Sequence, residues 1–308
     1  MTCGQRMRSE FRLKSFGLTH NDRHVFTRTP WLSNRNQLPF VLYRAAVCVY
    51  QVIAFSIIHG VLILLPQEIL WIHLTEWCYV LLTLHILLSA TLCFIDYYKS
   101  RSQREATSDE NLSSDVVMAT GSTISPTTTG GGTIQTSVDQ DSAQNLQIPW
   151  QYKLCWVLHN VAFAAGILIT ILFWGLVGGA DNSAQDRDIL IHIMNAVTIV
   201  IDVMVSGLPC RLLHFVYPLI FGAVYLLFTV IYWAAGGIGK DELPYIYSPL
   251  DYGGNPVLAA IVAVLAVVVA MPLCHCVVFA LALTRESLAN LLKRRSSRDS
   301  QNVEVTAL

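Results

Sequence analysis

From residue 40 to residue 283 the chain alternates long apolar stretches with short polar breaks. Six apolar spans are predicted, at about Phe40–Leu65, Glu68–Ile95, Leu154–Gly178, Ile189–Leu208, Leu212–Ala235 and Pro256–Leu283. Each is close to the roughly 20 residues that a membrane-crossing helix needs. In lipid only a helix or a closed barrel satisfies its own backbone groups. The pattern therefore predicts an all-α fold, a polytopic membrane helix bundle with six transmembrane helices. Pro272, in the run Met271-Pro-Leu-Cys-His-Cys276, predicts a kink in the sixth.

The breaks divide the chain. Residues 1–38 form a basic N-terminal segment, and residues 39–98 hold transmembrane helices 1 and 2. Residues 99–152 are rich in Ser, Thr and Gly, and positions 100–147 hold no aromatic residue. Such a stretch buries too little apolar surface to offset its ordering entropy, so a disordered loop is expected. Residues 153–284 hold helices 3–6, and residues 285–308 form a basic tail. The basic stretches all fall on one side of a six-span topology, which predicts that both termini are cytoplasmic. The sequon Asn111-Leu-Ser113 then lies on the cytoplasmic side. The first 35 residues lack an early apolar core, so the first span is expected to act as the insertion signal.

Composition sharpens this reading. Of the 308 residues 54% are hydrophobic and 13% charged, against about 25% charged in soluble domains. A net charge of −1 implies no nucleic-acid partner. The expected partners are the lipid bilayer itself and membrane proteins. Eight cysteines lie mostly within apolar spans, which gives no disulfide framework.

Candidate chemistry concentrates in the hairpin of residues 187–236. His192, Asn195 and Asp202 of the fourth span fall within an arc of roughly 80° on a helix. Polar groups so placed face protein or a water-filled cavity, because ionisable groups are costly in lipid. Asp202 could pair with Arg211 or with His159. The fifth span carries His214, Tyr217, Phe221, Tyr225, Phe228 and Tyr232 on one face, as core packing or a ligand pocket. Cys274, His275 and Cys276 alternate, so their side chains diverge on a helix. No metal or cofactor is expected there. Thr75 sits in an aromatic, polar entry to the second span, Trp71-Ile-His-Leu-Thr75.

Four stretches resemble the rolling stone proteins of insects and other invertebrates: FRLKSFGLTHNDRHVFTRTPW, LTEWCYVLLTLHILLSA, HIMNAVTIVIDVMV and RLLHFVYPLIFGAVYLLFTVIYWAAGG. The resemblance implies a multi-pass protein of the plasma membrane, with the endoplasmic reticulum as the alternative, linked to myoblast fusion in muscle development. A more distant resemblance is to the androgen-induced membrane hydrolases, which cleave fatty acid esters of hydroxy fatty acids with an intramembrane threonine and a histidine. Thr75 matches their threonine. His192, ten residues before Asp202, matches their histidine, and Asp202 stands where they carry Glu. The resemblance implies a lipid ester substrate, Thr75 as nucleophile and His192 as base. Asn195, Asp202 and Tyr232 are candidate orienting residues. The other reading of Thr75 is a hydroxyl bonded back to its own helix, and of His192 a hydrogen bond to a neighbouring helix.

Overall fold

In the computed structural model the described residues are 10–33, 36–63, 70–119, 148–177, 189–239 and 242–306. They are helical, with no strand among them. The helices are α1 (Leu38–Ile63), α2 (Leu74–Ala119), α3 (Trp150–Leu172), α4 (Met194–Val205), α5 (Val216–Ala234), α6 (Pro256–Val264) and α7 (Met271–Thr306). A π turn joins α6 to α7. Five helical stretches are long and apolar enough to cross a membrane, and a shorter apolar helix covers Ile191–Val205. This is a multi-pass membrane architecture.

Part of the stretch expected as a disordered loop is helical. α2 runs on to Ala119, through residues 99–119 that composition assigns to a disordered loop. Ion pairing of Arg101 with Glu105 at 2.8 Å, one turn apart, supports that extension. α7 likewise continues through the basic tail to Thr306. α3 begins at Trp150, inside the other end of that stretch; residues 120–147, and residues 178–188 with the acidic run Asp181 to Asp188, lie outside the described residues.

The interior is set by α2 and α3. α3 packs on α2, α4, α5 and α7. Ala162, Ala164, Ala165 and Gly166 give it a small-residue face that lets neighbouring backbones close in. A Cβ at Gly166 would lie 2.6 Å from Ile199 Cδ1. The outer helices turn apolar stripes outward: Val49, Ile53 and Ile57 on α1, Ile220, Val224, Leu227 and Ile231 on α5, and Val257, Ile261, Val264 and Val268 on α6 and its π turn. Their i, i+3, i+4, i+7 spacing is that of lipid-facing stripes. At α6–α7 the π turn lets Met271 N–H reach back to Ala266, which widens the helix just ahead of Pro272 and absorbs its missing donor.

The short helix α4 is held by its end. A helix leaves its last four carbonyls unpaired within itself. Here Val203 O and Ser206 O accept from Arg285 Nη1 at 2.9 and 2.5 Å. Leu208 O accepts from Arg285 Nη2 at 3.0 Å. Met204 O takes the Trp31 indole N–H at 2.7 Å, and Val205 O the Thr29 hydroxyl at 2.6 Å. The positive guanidinium also meets the negative end of the helix dipole. Residues of the N-terminal segment thus form part of the bundle end. Gly207 N–H donates to Arg28 O at 2.9 Å, and a Cβ at Gly207 would lie 2.5 Å from that oxygen. Arg211 donates to Gly17 O and Thr19 O, which takes it away from Asp202.

Arg285 is fully buried, so its removal leaves several carbonyls dry and unpaired. Arg285→Met is expected to cost about 3 kcal/mol, read as a lowered Tm of the detergent-solubilised protein. An unchanged Tm would show that the α4 end is not held in this way.

Candidate functional site

Thr75 is the second residue of α2, where the helix dipole favours negative charge on nearby oxygen. Its neighbour Glu76 is buried and meets His59 Nε2 of α1 at 3.1 Å. The first turn of α2 is fastened from the other side by tyrosines. Leu74 N–H donates to the Tyr247 hydroxyl at 3.0 Å. Tyr225 donates to Ile72 O at 2.7 Å. Burial pushes the Tyr247 phenol up, with the Tyr225 and Thr75 hydroxyls as hydrogen-bonding neighbours. It is therefore a neutral hydroxyl throughout the physiological range.

His192 lies in a π turn, Ile189–Ile193, that leads into α4. It faces a second π turn, Phe173–Val177, at the end of α3. The His192 ring stacks on Phe173 with centroids 3.8 Å apart and planes 12° apart. The Thr170 hydroxyl donates to His192 O at 2.9 Å. The facing turns fix the ring against the wall of a cavity.

That cavity, of about 240 Å³, is lined by Thr75, His192, Tyr225, Tyr247 and Ser248 together with apolar residues of five helices, among them Leu168, Ile169, Leu226, Val262, Ala263 and Met271. Its volume is just under the roughly 300 Å³ at which small-molecule sites begin. Its walls are greasy, with hydroxyls and an imidazole at a few points.

Of the five residues singled out in the sequence, the fold brings Thr75 and His192 to this cavity and places the other three elsewhere. Asn195 is buried on α4, outside the lining. Tyr232 donates to Ile238 O at 2.8 Å, beyond the far turn of α5. Asp202 lies deeper. Its Oδ1 accepts from Arg44 Nη1 at 2.6 Å and from the Tyr43 hydroxyl at 3.1 Å. Arg44, rather than Arg211, is its ion partner. His85 Nε2 stands 3.8 Å from Asp202 Oδ2.

Arg44 and His85 are not among the candidates read from the sequence, although the second carries a signal. His85 follows Thr75 by ten residues, as Asp202 follows His192 by ten. Ten residues are about 15 Å of helix. His85 and Asp202 thus lie equally far along the chain from the two cavity residues, and the fold brings them within 3.8 Å. Tyr247 carried no such signal, because only the folded loop between α5 and α6 sets it on α2. His214 is fully buried near Asn160 Nδ2, 3.3 Å from its Nδ1. His275 binds Arg211 O at 2.9 Å, Cys274 is buried and Cys276 is exposed.

Comparison with known proteins adds a family. The model of the protein rolling stone family matches residues 3–120 and 132–296. The chain belongs to the rolling stone family. Among curated relatives, protein rolling stone of Drosophila melanogaster is 25% identical over 250 residues, covering 80% of this chain and 78% of the relative. No solved structure matches the chain. The rolling stone match takes in the described residues up to 296, including Thr75, His192 and the α4 end.

Tyr247→Phe removes the acceptor of the Leu74 N–H. The expected outcome is a loss of about 1–2 kcal/mol in stability, with faster hydrogen exchange in the first turn of α2. Unaltered exchange there would mean that the tyrosine does not hold that turn.

Proposed function

We propose that this rolling stone family member takes an ester-bearing lipid into the cavity between α2, α3, α5, α6 and α7, and cleaves it with Thr75 and His192. The observation that carries the reading is the shared lining: residues far apart in sequence reach one largely apolar cavity. An acyl chain fits such walls, while the hydroxyl and imidazole suit the ester. We read the chain as six spans with both termini cytoplasmic. In this reading the Ile191–Val205 helix is the fourth span. The biological setting we propose is the plasma membrane during cell–cell fusion of myoblasts, where local lipid chemistry assists the merging of bilayers.

The proposed chemistry runs through these two residues. His192 takes the Thr75 proton as the hydroxyl oxygen bonds to the ester carbonyl carbon. The negative charge that develops lies beside the N-terminus of α2 and the neutral Tyr247 hydroxyl, both suited to stabilise it. The C–O bond to the leaving alkoxide breaks, and His192 returns the proton to it. Water, activated by His192, then hydrolyses the acyl-threonine and restores both residues.

The test is turnover by the purified full-length protein of a fluorogenic medium-chain ester and a hydroxy-fatty-acid ester. Thr75→Ala and His192→Gln are each expected to lower turnover at least about 100-fold while gel-filtration profile and Tm stay near wild type. Absence of turnover in folded wild-type protein would overturn the hydrolase reading. Thr75 would then be the helix-bound hydroxyl of a non-enzymatic fusion component.

A further inference from the structure

About 15 Å along α2 and α4 from the cavity, a second polar cluster is closed off from solvent. His85 of α2, His159 of α3 and Asp202 of α4 are all essentially fully buried. None of them lines the cavity. One ligand-capable atom from each lies within 4.8 Å of the other two.

The hydrogen bonds around the cluster leave its inner atoms facing one another. His85 Nδ1 meets the Cys155 carbonyl at 3.2 Å, and a carbonyl only accepts. In the neutral ring the proton is therefore on Nδ1, and Nε2 presents a lone pair. That lone pair points towards Asp202 Oδ2 at 3.8 Å. The other carboxylate oxygen, Oδ1, is held by Arg44 and Tyr43. Among the described residues no group hydrogen-bonds to His85 Nε2, Asp202 Oδ2 or His159 Nδ1. A lone pair and a carboxylate oxygen that converge in a dry interior repel unless something positive lies between them.

We propose that His85, His159 and Asp202 bind a divalent transition metal of the zinc class. Two imidazoles and one carboxylate are a zinc-type donor set, and two nitrogens argue against magnesium or calcium. The outer contacts are those that orient metal ligands: a histidine donating its far N–H to a backbone carbonyl, and a carboxylate held through its second oxygen. Asp202 also lies in the last turn of α4, whose dipole favours a cation. Arg44 shares that carboxylate and so weakens the hold on the ion, which sets this site apart from a tight three-ligand centre. Ligand bonds of about 2.0–2.2 Å draw the three side chains inward and pin α2, α3 and α4 together. The role is structural and does not depend on chemistry at Thr75 and His192.

The experiment is elemental analysis of full-length protein purified without chelator, with a parallel sample stripped by chelator and titrated with Zn²⁺. Zinc near one equivalent per chain and a higher Tm on adding Zn²⁺ to the stripped sample are expected. His159→Gln and Asp202→Asn should each abolish both effects, and Cys276→Ser should keep them. A Co²⁺-loaded sample should show visible d–d bands that His159→Gln removes. Wild-type protein that carries no stoichiometric metal, and whose Tm does not respond to Zn²⁺, would overturn the proposal whatever its esterase activity. Zinc retained in both His159→Gln and Asp202→Asn would overturn it as well.

Discussion

The Arg44–Asp202 pair is the contact on which the interior turns. Both side chains are essentially fully buried, and Nη1 and Oδ1 lie 2.6 Å apart. Away from water, either charge alone would be untenable. The pair therefore fixes where α1 and α4 stand relative to each other. Tyr43 closes on the same oxygen, and His85 and His159 bring α2 and α3 to its other side. Four helices converge on one carboxylate.

The same need to satisfy polar groups shapes the bundle end. α4 has only 12 α-helical residues, so it contributes little apolar surface of its own. Its carbonyls are taken up instead by Arg285, Trp31 and Thr29, which come from the two ends of the chain. At the end of α5 the backbone does this work unaided. Gly237 N–H reaches Tyr232 O and Gly236 N–H reaches Trp233 O, a Schellman ending made possible by the positive φ of Gly236. The glycine pair of the run Trp233-Ala-Ala-Gly-Gly237 is thereby explained as a stop signal.

The polar interior falls into two layers about 15 Å apart. The outer one joins His192, Thr75 and the tyrosines around an apolar cavity with room for a ligand. The inner one joins Asp202, His85, His159 and Arg44 in tightly packed surroundings. The stripe of His192, Asn195 and Asp202, legible as a single polar face, is divided along the chain between the π turn before α4 and α4 itself, in two different environments. Neighbours on one helical face share a direction. Only depth along the axis decides which partner helix they meet.

What the sequence by itself determined is the class of structure. Runs of apolar residues bounded by glycine, proline and charge specify helices for a lipid solvent, because each such helix satisfies its own backbone wherever it lies. The rolling stone resemblance was legible in the same way, from local strings of residues. The extent of α2 beyond residue 99 was not, because a polar helix continuing out of an apolar one has no compositional mark of its own. Tertiary structure alone decided the pairings: Arg44 with Asp202, Tyr247 on the first turn of α2, and Arg285 on the end of α4. These are contacts between residues about 80 to 175 positions apart. Nothing in a linear pattern fixes which buried donor finds which acceptor. That choice is made when helices of set length and small-residue faces pack, and only some polar groups come to equal depth.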